Sequence, residues 1–550
     1  MAQNIQAKPL RGVKKWIPLV VMALALSIII IDTTILNVSI KAIITDLNTT
    51  VQNLQWVIAA YSLTLAAFTI TGGRLGDLYG RKKMFMLGAI LFAIGSGMAA
   101  TAQNFGMLLA GESIIEGIGA ALMMPATASL LVSTYKGRDR AIAFGVWGSM
   151  AAASAAIGPI LGGWLGTNYS WRWAFLINIF VAAALVAGTI LFLKESRDTE
   201  EKAELDYLGV VLSATGLFWL VYGFIETSTY GWWRATQNFA IFGNSATPFG
   251  LSPVPLAIGF GLLTLFVFVR WQFHQEKIGR TPLVSMQLFK NKQFVSGSAV
   301  TAVLSLGQVG LFFALPVFFQ GVLGLNAFDT GLALLPLPLG IFVGAPGSIT
   351  LAKRFTPKRI IQAGLAISVL GTLWLRTVLA PSVGVMDLAP MLFFYGVGMG
   401  FVMGMISNLT LSAVNVQQSG EASGVNNTLR NVGSTLGSAI IGAVVLSAIA
   451  TNLNAGIKNS IIIPEPAKAA VTQAVAGHAG EIQFGSEKQS SNVSPIIAKE
   501  MVVIAHQATV DANKTALGLM SIFMLLALGL SSQLPNVKNL EKNEKAAAGH

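Results

Sequence analysis

The sequence predicts an all-α integral membrane protein of fourteen spanning helices, and three observations carry that expectation. Only 11% of the 550 residues are charged while 54% are hydrophobic, against roughly 25% charged in soluble domains. The apolar residues fall into runs near the roughly 20 residues that cross a bilayer. Lysine and arginine gather in alternate connections between those runs, as they do in cytoplasmic loops.

The N-terminal tail, residues 1–16, carries Lys8, Arg11, Lys14 and Lys15. The apolar run that follows, to about Ile40, exceeds the roughly 7–15 residues of a signal peptide and contains Asp32. It reads as a retained first helix. Further spans are expected at about 54–76, 84–102, 106–131, 141–166 and 172–193, which makes 17–193 a six-helix bundle. A polar linker, 194–206, contains Glu195-Ser196-Arg197-Asp198-Thr199-Glu200-Glu201-Lys202 and ends that block. Two inserted helices, 207–226 and 251–273, fill 207–273, and a cytoplasmic loop covers 274–293. A second six-helix bundle, 294–531, has spans at 294–320, 329–351, 359–379, 388–414, 425–450 and 515–531. The tail is 532–550. Within the second bundle, the polar stretch 451–514 exceeds a normal connection. A hairpin, a cap over the outer mouth and an unfolded loop are all open for it.

With the N-terminus in the cytoplasm, most of the 36 Lys and Arg fall in the even-numbered loops and the two tails. The net charge of +12 is then topology, and no nucleic-acid partner is implied. The absence of cysteine excludes disulfides, a thiolate nucleophile and cysteine-ligated metal. No G-x-x-x-x-G-K-[ST] phosphate loop occurs, so ATP is not the expected energy source. The four histidines lie in loops or tails, and no nucleophile–base arrangement points to an enzyme. No cofactor or metal is expected.

Between the second and third runs lies Gly72-Gly73-Arg74-Leu75-Gly76-Asp77-Leu78-Tyr79-Gly80-Arg81-Lys82-Lys83. Gly73, Gly76 and Gly80 permit close backbone approach. Asp77 can accept from a helix N-terminus or a neighbouring arginine, and Arg81, Lys82 and Lys83 suit an anionic leaflet. A degraded copy, Gly347-Ser348-Ile349-Thr350-Leu351-Ala352-Lys353-Arg354-Phe355-Thr356-Pro357-Lys358-Arg359, recurs after the tenth span and points to two related halves. In the fifth span, Gly158-Pro159-Ile160-Leu161-Gly162-Gly163 joins a helix-kinking proline to glycines that let another helix approach.

These segments resemble the major facilitator superfamily. The first matches its G-x-L-x-D-x-x-G-R-K loop, so the resemblance implies a cytoplasmic gate latch at Gly73, Asp77, Gly80, Arg81 and Lys82. The second, with Gly158, Pro159, Gly162 and Gly163, resembles the antiporter motif of its exporters. Asp32-Thr33-Thr34-Ile35-Leu36-Asn37-Val38, Trp171-Arg172-Trp173-Ala174-Phe175-Leu176-Ile177-Asn178, Leu205-Asp206-Tyr207-Leu208-Gly209 and Asn426-Asn427-Thr428-Leu429-Arg430-Asn431-Val432-Gly433 resemble signatures of the fourteen-helix drug:proton antiporters, the EmrB/QacA type. The resemblance covers about residues 17–450. It implies a major facilitator fold, two six-helix bundles plus two inserted helices, in a bacterial inner membrane with both termini cytoplasmic. The chain departs from the family in span four, where R-x-x-Q-G is replaced by Ser113-Ile114-Ile115-Glu116-Gly117.

An ionised side chain at mid-bilayer costs at least about 2.5–3.5 kcal/mol, so acids retained there are functional candidates. Asp32 lies about 22 Å from the inner end of span one and Glu112 about 9 Å from the outer end of span four. In a core of about 30 Å these levels nearly coincide, with Glu116 near the midplane. Asp32, Glu112 and Glu116 are therefore expected to face one cavity, where protons and a lipophilic cation compete for the same carboxylates. Arg430 is the cation inside span thirteen, open to pairing with an acid, lining the inner cavity or snorkelling. Glu226, at the outer end of span seven, reads as a solvated interfacial carboxylate.

The function implied is export of small, lipophilic or cationic compounds driven by the proton gradient. Export of an endogenous metabolite, lipid or siderophore stays open, as does proton-coupled import on the same fold. A periplasmic adaptor and outer-membrane channel completing the path are also open.

Overall fold

A computed structural model describes residues 15–135, 137–196, 206–235, 240–241, 244–245, 250–280, 282–411, 414, 419–466, 468, 472 and 495–536. Most of the two tails, most of the 195–204 linker and the middle of 451–514 lie outside them.

The long apolar runs form helices because a helix satisfies every backbone group within its own segment. The first half contains α1 (Ile17–Val38), α2 (Ile40–Leu47), α3 (Val51–Tyr79), α4 (Arg81–Ala100), α5 (Phe105–Leu108), a π-helical segment (Leu109–Glu116), α6 (Gly117–Thr134), α7 (Gly137–Asn168) and α8 (Arg172–Phe192). Next come α9 (Tyr207–Ile225), α10 (Thr227–Tyr230) and α11 (Val254–Lys277). The second half contains α12 (Lys292–Gly321), α13 (Ala327–Leu334), α14 (Pro336–Leu351), α15 (Pro357–Val378), α16 (Val385–Leu411), α17 (Ser419–Asn459) and α18 (Pro495–Ser531). Among the described residues, 13 helical spans are long and apolar enough to cross a membrane. The expected fifth span falls on α7, a separate helix of 32 residues.

The helical class holds, with one short antiparallel pair, β1 (Ala240–Ile241) and β2 (Asn244–Ser245), in the connection between α10 and α11. Two expectations are corrected. Span one stops at Val38, and Ser39 turns the chain into the separate helix α2. Span four is interrupted by the eight-residue π-helical segment.

The outer stretch 451–514, for which several readings were open, is helical at both ends among the described residues. The 41 residues of α17 and 37 of α18 reach about 60 and 55 Å, far beyond a 30 Å core. Their projecting ends share a seam of Leu453, Ile457, Ile463, Ile504, Ala505 and Ala508. The Ser460 hydroxyl donates to Glu500 Oε1 at 2.8 Å across it.

The side bearing the lysine- and arginine-rich connections is called the basic side, and the opposite one the far side. The halves are joined on the far side. Gln55 Nε2 donates to Ala439 O at 3.0 Å. Gln320 Nε2 donates to Val38 O, and Gln320 Oε1 accepts from Lys41 N, each at 3.1 Å. Phe328 N donates to Thr167 Oγ1 at 3.2 Å. One apolar cluster runs through this junction, with Leu36, Ile40, Leu54 and Val57 from one half and Leu311, Leu315 and Phe318 from the other.

Candidate functional site

The three membrane acids converge. Asp32 comes from α1, Glu112 and Glu116 from the π-helical segment, and all three are at most 1% exposed. A π-helix closes i→i+5 rather than i→i+4 bonds and so widens the turn, a feature frequent at functional sites. The widened segment buries Gly111, Glu112, Ser113 and Glu116 together. Gly95 and Gly111 make room for it: a Cβ on Gly95 would lie 2.7 Å from Glu116 Cβ, and one on Gly111 would lie 2.8 Å from Gly95 O.

Asn178, from α8, is the hub. Its Nδ2 donates to Asp32 Oδ1 at 2.9 Å, to Glu116 Oε1 at 3.0 Å and faces Ser96 Oγ at 3.2 Å. Tyr61, from α3, is fully buried beside Asp32 and Glu116. Ser113 Oγ lies 2.8 Å from Val57 O and 3.1 Å from Glu112 Oε2. The Ser113 hydroxyl is the donor to both, and it ties Glu112 to the α3 backbone. Asp32 Oδ2, Glu116 Oε2 and the Tyr61 hydroxyl have no hydrogen-bond partner among the described residues. No described ion pair involves the three acids.

The expected cavity is corrected in one respect: the cluster is sealed rather than open. In this conformation each of the three acids is at most 1% exposed. Arg430 is half-buried on α17 and is not among the groups bonded to the acids.

The glycines of Gly158, Pro159, Gly162 and Gly163 seat α7 between the halves. A Cβ on Gly158 would lie 3.2 Å from Ile31 O, and one on Gly162 would lie 3.2 Å from Ile35 Cα, both on the α1 turns flanking Asp32. On Gly163 it would lie 2.6 Å from Phe328 Cα at the start of α13. In turn α13 brings Gly331 against the Pro159 peptide, where an added Cβ would lie 2.7 Å from the Pro159 carbonyl carbon. These residues thus connect the acid-bearing helix to the far-side closure.

The basic-side loop docks on the end of α8. Gly80 adopts φ 111° between α3 and α4. Arg81 N donates to Ser196 O at 3.0 Å, and Glu195 Oε1 accepts from Lys82 N at 3.0 Å. An anion at the first turn of α4 is favoured by the helix dipole. Lys82 Nζ reaches Ile190 O at 3.2 Å. Gly73 meets α6 at Pro125 with ordinary van der Waals spacing. The Asp77 side chain lies outside the described residues. The degraded copy behaves alike: Lys358, just inside α15, donates to Ser532 O at the end of α18. Each loop thus ties down the last helix of its own half.

Glu226 is corrected from solvated to bound. Its Oε1 accepts from Trp56 Nε1 at 2.9 Å and its Oε2 from Gln52 Nε2 at 3.3 Å. Burial pushes its carboxyl up, against the opposing bonds from Trp56, Thr229 and Gln52. The acid therefore ties the inserted pair to α3.

Asn178 and Ser96 were not singled out as site residues from sequence. Asn178 stood in a motif and is a polar residue inside an apolar run, which was the available signal. Ser96 carries none, since hydroxyls are ordinary in membrane helices.

The family model described as Major Facilitator Superfamily matches residues 22–438. Among curated proteins, the chain is 29% identical over 457 residues to a probable actinorhodin transporter of Streptomyces coelicolor, covering 81% of this chain and 75% of that protein. It is 26% identical over 511 residues to the multidrug resistance protein Stp of Mycobacterium tuberculosis, covering 91% and 88%. Among solved structures it resembles a bacterial homologue of the human lysosomal transporter Spinster, in an inward-facing and unoccupied conformation. That likeness has a TM-score of 0.59 at 16% identity, with 94% of this chain and 98% of that chain covered. With a family match across most of its length and a fold shared with a solved transporter, the chain belongs to the Major Facilitator Superfamily.

Proposed function

We propose that this protein exports small, lipophilic or cationic compounds across a bacterial inner membrane in exchange for protons, by alternating access. The observation that carries the reading is the sealed group Asp32, Glu112 and Glu116, three acids on two spans with no cationic partner among the described residues. A buried charge without a counter-charge costs several kcal/mol. The sealed arrangement is therefore cheapest with protons aboard, and an arrangement that admits water lets them leave. Because the acids are closed off, coupling runs through helix movement rather than competition of substrate and proton for one exposed carboxylate. The antiporter-type glycines on α7 offer the route, since they touch both α1 beside Asp32 and α13 at the far-side closure.

The lysine and arginine distribution supports a cytoplasmic basic side with both termini there. In that orientation the closed far side faces outward. With α7 counted as a span, the described residues hold fourteen spans, which supports the EmrB/QacA-type reading. Relatives named as a multidrug resistance protein and an actinorhodin transporter support export over import. The second of these names favours a further reading, in which the cargo is an endogenous product; a metabolite comparison of a deletion strain separates the two.

The test is transport in everted vesicles with a panel of cationic and neutral dyes. Wild-type vesicles accumulate dye when a pH gradient is imposed and stop when it is collapsed. Asp32→Asn and Glu116→Gln abolish the gradient-driven part. Full gradient-driven transport by both Glu112→Gln and Glu116→Gln overturns the role given to the acids.

A further inference from the structure

We propose that Asn178 is the positioning residue of the proton site: one side-chain amide from α8 that holds Asp32 and Glu116 as a pair and sets how a proton is divided between them. The inference rests on the proton-coupled reading above and deepens it.

Nδ2 carries two hydrogens and has three oxygens within 3.2 Å. Ser96 Oγ, the most distant, is a hydroxyl with a hydrogen of its own, so the amide hydrogens are assigned to Asp32 Oδ1 and Glu116 Oε1. Asn178 therefore presents an equal donor to each acid, from a helix that carries neither. It is 1% exposed.

The remaining oxygens, Asp32 Oδ2 and Glu116 Oε2, have no partner among the described residues. The titratable groups facing the pair are Tyr61 from α3 and Glu112 from the π-helical segment; Ser96 from α4 adds a hydroxyl. Arg172, on α8 itself, is engaged at the far end by Asp46 and by Ala102 O. Among the described residues no cation is paired with either acid, and the shared amide links the charge state of one to that of the other. It also links α1, α4, the π-helical segment and α8 at one atom, so separating these helices must break the pairing.

The experiment measures ethidium uptake in everted vesicles against pH, together with ethidium binding to the purified full-length protein. Losing a hydrogen bond to a charged group is expected to displace the midpoint of the transport profile by about one pH unit or more. Asn178→Ala shows that displacement while ethidium binds within about threefold of wild type. Asn178→Thr, which returns one hydroxyl donor, lies between the two, and it supplies the same readout should the alanine variant fail to fold. A purely structural role predicts less folded protein with an unmoved midpoint, and that result overturns the proposal. Wild-type vesicles that move no ethidium under a pH gradient overturn the export reading itself.

Discussion

Gly163→Ala should push the protein toward an arrangement open on the far side. In the closed form an added Cβ would lie 2.6 Å from Phe328 Cα and 2.8 Å from the Ala327 carbonyl carbon. Both are backbone atoms, so no side chain can swing away and α7 must part from α13. Overpacking of this kind costs about 1–3 kcal/mol. If the open form does not share the contact, its population rises by about 5- to 150-fold.

The chain has no cysteine, so one introduced thiol reports without background. Leu36→Cys suits, because Leu36 is 4% exposed in the cluster that joins the halves. Its rate of labelling by a membrane-impermeant maleimide from the far side should rise by that factor in Gly163→Ala. Gly166→Ala is the control: its Cβ would meet Ser39 Oγ at 3.6 Å and Ala327 Cβ at 3.7 Å, ordinary contact. Equal labelling rates in Gly163→Ala and Gly166→Ala would refute the packing argument.

Three further outcomes are expected. Gly80→Ala forces a side chain into φ 111° and onto the Glu195 carboxylate at 2.7 Å, so a loss of about 1–3 kcal/mol should appear in thermal unfolding in detergent; an unchanged midpoint would contradict it. Glu226 holds its proton in the folded protein above the pH at which the unfolded chain releases it, because burial raises its carboxyl. Its contribution to stability therefore falls as pH climbs from the unfolded value toward the folded one. Wild type should lose melting temperature relative to Glu226→Gln across that window, and a pH-independent difference would count against the burial argument. Asp46→Asn should cost under about 1 kcal/mol, since the Arg172–Asp46 ion pair is partly exposed to solvent. Burial opposes ionisation of Asp46, yet the bonds from Arg172 and Trp171 hold its carboxyl below its usual value. Arg172→Ala should cost more, because it also removes the 2.7 Å bond to Ala102 O and the stacking 4.5 Å over Trp171; equal effects on melting would refute that ranking.

The acids show how far a single chain can be read. Asp32, Glu112 and Glu116 stood out because charge inside an apolar run is costly and visible in one dimension. Their common level followed from the helical rise. The loop at Gly80 was equally visible, since a glycine and three cations between two runs have few other uses. By contrast, Glu226 looked solvated because its neighbours in sequence are polar, whereas its donors Gln52 and Trp56 lie on a helix more than 150 residues away.

The amino-acid order alone therefore determined the helical class, the order of the apolar runs, the alternation of basic connections and the acids worth following. These are properties of hydropathy and charge along the chain, and the bilayer reads them segment by segment. Only the tertiary structure decided that a π-helical turn buries both glutamates, that Asn178 joins Asp32 to Glu116, that the site is sealed, and that the halves close on the far side. Those features depend on which faces of distant helices meet. That is set by packing at positions such as Gly95, Gly111 and Gly163, where the missing side chain matters only once its neighbour is known.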